Sequence, residues 1–135
     1  MLRLVVIDGM SGSGKTTLRS ALIETMNFDV LTIDRFSPSI WVYDMLRGID
    51  RTKEIQDFEN KFEVFEPLLV LCMCDPEVAR ERDEIKRLNF TYTEEQNLFE
   101  VYYNEITKYK NKIYLDTSRL SLEFLIKSIK EKLNA

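Results

Sequence analysis

The chain predicts an α/β fold, a short parallel sheet of about four strands with helices on both faces. Three observations carry this. Four short apolar runs alternate with longer segments whose apolar residues recur at helical spacing. The run after Pro67, LLVLCMC, lacks polar alternation, as suits a central strand covered on both sides. A glycine-rich bend, GMSGSGKTT, joins the first apolar run to the first helical segment.

Taken in order, Leu2 to Ile7 is the first strand, and Lys15 to Met26 follows as a helix with Leu18, Ala21, Leu22 and Met26 on one face. Asp29 to Ile33 is the second strand, closed by an acidic residue, Asp34. From Ser37 to about Phe62 the pattern is helical, started by Ser37-Pro38 and interrupted at Gly48; Ile40, Trp41, Tyr43, Met45 and Leu46 form its apolar or aromatic face. After the LLVLCMC strand, Asp75-Pro76-Glu77 opens a helix with Asp75 as its cap and Pro76 in its first turn. This helix carries Arg80, Arg82, Lys86 and Arg87. Thr93 begins the next one in a capping-box pattern, T-E-E-Q, with Leu98, Val101, Tyr102, Ile106 and Tyr109 as its apolar face. Lys112 to Leu115 is the last strand, and Ser121 to Leu133 a closing amphipathic helix.

At 135 residues, with 44% hydrophobic and 31% charged residues, the chain fits one globular domain. It has no internal repeat and no apolar run approaching the ~20 residues that span a bilayer. The opening apolar run is too short for a signal-peptide core, so a cytoplasmic location is expected. A net charge of -4 gives no global attraction to nucleic acid or to an anionic membrane. With no histidine, histidine general-base chemistry and most zinc sites are excluded. Strand geometry points Cys72 and Cys74 to one face as buried core thiols.

Gly9 to Thr16 satisfies G-x-x-x-x-G-K-[ST] between a predicted strand and a predicted helix. In this phosphate-binding loop, backbone N–H groups from Gly9, Met10, Ser11, Gly12, Ser13 and Gly14 through Lys15, Thr16 and Thr17 can face phosphate oxygens. Lys15, expected to be exposed, reaches the outer phosphates, and Thr16 ligates magnesium. Nineteen residues beyond Lys15, Asp34 ends the neighbouring strand, placed to accept a metal-bound water or an acceptor's proton. Arg35 can neutralise an acceptor phosphate. Arg80, Arg82 and Arg87 can stabilise a transferring phosphoryl group. Because Glu77, Glu81, Asp83 and Glu84 balance them, a solvated salt-bridged helix is the alternative. Phe36, Trp41 and Tyr43 are candidates to border an acceptor base, with core packing the alternative for Trp41.

These residues resemble the thymidylate kinase and deoxynucleoside kinase group of P-loop kinases. Asp8 to Thr17 is similar to that group's opening loop, with Asp8 in place of a glutamate and Ser11 in place of an acid. Asp34-Arg35-Phe36 is similar to its D-R-[YF] motif, in register through Ser39 and Tyr43, with Asp44 at a common glutamine position. Asp75-Pro76-Glu77-Val78-Ala79 and the arginines beyond resemble its lid entry, and Tyr114 to Ser118 its adenine-contacting turn, which implies adenine contacts at Thr117 and Ser118. Only Asn27 to Asp29 stand where the group carries an extra strand and helices that help form the acceptor site. The resemblance implies a three-layer P-loop fold and transfer of the γ-phosphoryl group of magnesium-ATP to a nucleotide or nucleoside, with a homodimer allowed. A polynucleotide 5′-hydroxyl kinase and a non-catalytic nucleotide-binding regulatory module are the alternatives.

Overall fold

A computed structural model of the protein describes residues 3–26, 29–83 and 89–134. The first position of the first expected strand, together with Lys86 and Arg87, lies outside these residues. Strand β1 (Arg3–Gly9) leads into helix α1 (Lys15–Met26), and β2 (Val30–Asp34) is followed by α2 (Ser37–Leu46) and α3 (Thr52–Phe62). A 3-10 turn at Glu63–Phe65 precedes β3 (Leu68–Met73) and α4 (Pro76–Arg82). Helix α5 (Asn89–Val101) runs on into a π-helical turn at Tyr102–Ile106, and β4 (Asn111–Asp116) and α6 (Leu122–Leu133) complete the order.

The strands form one parallel sheet in the order β2-β1-β3-β4. Alternation along each strand divides its side chains between two helical layers. One face sets Val6, Leu69, Leu71 and Met73 against Trp41 and Val42 of α2, Ile55 of α3, and Tyr92 and Phe99 of α5. The other sets Val5, Ile7, Leu68, Val70 and Cys72 against Leu18 and Leu22 of α1 and Leu125, Ile129 and Leu133 of α6. All six residues of β3 are buried, as its unbroken apolar run requires.

Gly48, at φ +80, ends the long helical pattern and separates α2 from α3. Three local expectations fail, each because tertiary contacts prevail. Cys74 follows the last residue of β3, so the alternation stops and it packs on the layer opposite Cys72. Helix α5 starts at Asn89 rather than Thr93, because the turn before Thr93 places Tyr92 fully in the core. Asp75 makes no side-chain cap; its N–H donates to Ser118 Oγ at 2.7 Å instead.

Candidate active site

Backbone geometry dictates the two glycines that matter most in the loop. Gly9 has φ +138, and a Cβ there would lie 2.0 Å from the Cys72 carbonyl oxygen on the paired strand. Gly12 has φ +75, and a Cβ there would lie 2.2 Å from the Ala79 carbonyl oxygen of α4. The loop is thus pressed between β3 and α4. Lys15 is buried rather than exposed, because its ammonium folds back across the bend and donates to the Gly9 carbonyl at 2.8 Å. Thr16 and Thr17 are exposed at the start of α1. No acidic residue in the first turn of α1 offsets the positive end of its dipole.

Asp8 organises the opposite wall. Fully buried, its carboxylate accepts hydrogen bonds from the Gly9 N–H at 2.9 Å, the Phe36 N–H at 3.0 Å and the Ser39 N–H at 2.8 Å, and from the Ser39 hydroxyl. Burial pushes this carboxyl above the ordinary range, against the pull of the Ser39 hydroxyl and the Lys15 charge. The same bonds bolt the β2–α2 turn to the loop. Arg35 in that turn is held at φ +51, in the left-handed region that non-glycine residues seldom occupy.

Two adjoining clefts result. One, of about 450 Å³, runs from Gly12 to Thr17 and is flanked by Arg35, Arg82 and Asp83. The other, of about 400 Å³, shares the loop and Arg82 but is walled by Leu18, Thr117, Leu120 and Leu122. The first is a cationic trough suited to a phosphate chain. The second has an apolar wall suited to a planar ring.

No family model matches the sequence, and no curated protein matches it. Solved structures match its shape over nearly its whole length. The YorR protein of Bacillus subtilis, in complex with phosphorylated GDP, gives a TM-score of 0.75 at 19% identity, covering 97% of this chain and 95% of that one. Deoxyadenosine kinase from M. mycoides with bound dCTP gives 0.68 at 13%, covering 97% and 98%. The same enzyme with bound dATP gives 0.68 at 15%, covering 98% and 100%. The chain has the P-loop NTPase fold in its nucleotide kinase-like form.

Within this P-loop fold the residues expected from sequence separate into groups. The loop, Arg35 and Arg82 come together around the first cleft, whereas Arg87 lies outside the described residues. Asp34 is exposed at the end of β2, beside β1 in register with Ile7, and is not among the described residues lining that cleft. Arg80, on the exposed side of α4, lines neither cleft among the described residues. Trp41 lines neither cleft among the described residues: it is 2% exposed, and its indole N–H donates to Thr52 Oγ1 at 2.9 Å. Phe36 packs edge-on against Phe58 and Phe62. Tyr43 does reach the loop, its hydroxyl 3.2 Å from Ser11 Oγ.

Two functional candidates escaped the sequence reading. Asp8 stood only as a replacement at the strand end, although its burial makes it the hub of the site. Glu95 was absorbed into an apparent capping box, yet its buried carboxylate accepts from the Ser11 hydroxyl at 3.3 Å and, more weakly, from the Ser11 N–H at 3.4 Å. A signal for it existed. Tyr92, Glu95, Phe99 and Tyr102 share one helical stripe, and an acid in an aromatic stripe points to a buried polar function.

Proposed function

We propose that the protein is an ATP-dependent kinase that transfers the γ-phosphoryl group of magnesium-ATP to a nucleoside monophosphate or nucleoside, in the manner of thymidylate and deoxynucleoside kinases. One observation carries the reading: Arg35 and Arg82 enter one cleft from different elements, on either side of the phosphate loop. A module that only held a nucleotide would need no second cation arriving from the β2–α2 turn, whereas a transferase must neutralise both donor and acceptor. The deoxyadenosine kinase of similar fold, with dCTP or dATP bound, supports a nucleoside-class ligand.

In this reading the adenine lies against the apolar wall of the second cleft, near Thr117 and Ser118. The loop amides and Lys15 hold the β- and γ-phosphates. Among the described residues no cluster of three or more histidine, cysteine, aspartate or glutamate side chains forms a metal site of its own. Exposed Thr16 and Asp34 would hold a magnesium ion, which would supply charge neutralisation of the phosphate chain. Asp34 takes the acceptor proton as the acceptor oxygen bonds to phosphorus and the bond from phosphorus to the bridging oxygen of ADP breaks. Arg35 meets an acceptor phosphate, and Arg82 faces the transferring group. Tyr43 and Glu95 are polar groups at the loop's edge that can orient an acceptor hydroxyl.

Incubation with magnesium and γ-labelled ATP against deoxynucleoside monophosphates, nucleosides and 5′-hydroxyl oligonucleotides tests the reading. Label on a monophosphate or nucleoside is expected, and Lys15→Ala should lower it by about 10²–10³-fold. Label confined to oligonucleotides would make the protein a polynucleotide 5′-kinase. ATP binding with no transfer at all would make it a regulatory module.

A further inference from the structure

The arginine common to both clefts is held in place by a residue that bears no charge. Arg82 ends α4, exposed to solvent, where a long side chain would ordinarily sample many rotamers. Instead its guanidinium spans Thr117, one arm donating to the threonine hydroxyl at 3.1 Å and the other to the threonine carbonyl at 3.2 Å. Thr117 is itself rigid. It is 7% exposed, its N–H donates to the Met73 carbonyl at 2.7 Å, and its hydroxyl donates to the Ser13 carbonyl of the phosphate loop at 2.7 Å.

The hydroxyl oxygen also lies 3.2 Å from the Met73 carbonyl, but its single proton serves the shorter contact with the loop, and one lone pair together with the carbonyl is committed to Arg82. That leaves little with which Thr117 could bind a base directly. Its position instead links three parts: the end of β3, the phosphate loop and the arginine at the seam of the two clefts.

We propose that Thr117 is a positioning residue that holds Arg82 at the seam between the base and phosphate clefts, so that the base-side turn sets where the guanidinium meets the phosphate chain. The proposal rests on the kinase reading. A fork already placed before the ligand arrives can act on the phosphoryl group without first being ordered.

The test is a double-mutant cycle on the full chain: T117V, R82M, the two combined, T117S and R82K. Turnover is measured with the acceptor found above, and MgATP affinity by calorimetry without acceptor. Valine keeps the buried shape and removes the hydroxyl. We expect T117V to lower kcat about tenfold and to weaken MgATP binding severalfold in the Arg82 background, yet to add less than about twofold to either in R82M. T117S should recover at least half of the lost turnover. R82K, which keeps charge but cannot span the hydroxyl and carbonyl with a planar fork, should lose nearly as much as R82M.

Equal losses from T117V in both backgrounds would show that Thr117 acts through Ser13 and the loop, overturning the proposal. Wild-type kcat and affinity in T117V, or wild-type turnover in R82K, would overturn it as well. If T117V does not fold, R82K decides alone. If the wild-type protein phosphorylates no acceptor, the kinase reading falls, and the cycle on MgATP affinity still tests the link. A non-additive loss there upholds the positioning role, and an additive loss or none rejects it.

Discussion

Lys15 spans the bend it belongs to, donating to the Gly9 carbonyl from a largely buried position. Replacing it with alanine removes both a phosphate contact and an internal strut. Lys15→Ala should therefore lower turnover by about 10²–10³-fold and cost about 1 kcal/mol of stability, read respectively from labelled-phosphate transfer and a urea midpoint. Turnover near wild type would exclude the lysine from the chemistry. Asp34 differs, since it is exposed at a strand end. Asp34→Asn should lower kcat by about 10²–10⁴-fold while shifting stability by less than about 0.5 kcal/mol. MgATP binding retained without turnover would assign Asp34 to proton or metal-water acceptance, and unchanged turnover would leave it a strand-closing acid.

Helix α4 and the phosphate loop are built on each other. Gly12 touches the Ala79 carbonyl so closely that a methyl group cannot enter without moving the helix. Gly12→Ala should lower the unfolding free energy by more than the ~1–2 kcal/mol that a left-handed alanine costs alone, because the obstacle is backbone. It should also displace Arg82 with α4. Thermal unfolding and MgATP affinity should thus fall together, and a drop in only one of them would show that helix and loop are not coupled. The β2–α2 turn has a comparable tie in Asp8, which accepts from the Gly9, Phe36 and Ser39 N–H groups at once.

At the level of the whole molecule, both helical layers bury ionisable groups. Burial pushes the Cys72 thiol up to about 12 and the Cys74 thiol up to about 11. Neither should react with a thiol reagent at pH 8 in the native protein, and both should react in denaturant; native labelling of either would contradict the packing. The phenols of Tyr102 and Tyr109 are likewise raised, chiefly by burial. For an acid whose folded value is raised, stability is fully present below the unfolded value and is lost as pH rises toward the folded one. Melting temperature should therefore hold to about pH 8.5, where the unfolded thiols begin to ionise, and fall more steeply above about pH 10 as the unfolded phenols do, with tyrosinate absorbance from these two phenols appearing only as the chain unfolds. Ionisation of both in an intact fold would refute their burial.

The sequence by itself determined the layered architecture, the succession of strands and helices along the chain and the glycine-rich loop. These follow from local rules: strand and helix periodicities, an unbroken apolar run in β3, and glycines that permit positive φ at positions 9, 12 and 14. Tertiary structure alone decided which polar residues share the site. Glu95 faces Ser11 because α5 packs beside the loop, Trp41 lines neither cleft because α2 turns it into the core, and Arg82 meets Thr117 across residues 83–116 of chain. Hydrogen bonds between distant residues leave no periodic trace in a sequence, because their geometry exists only after the layers have packed.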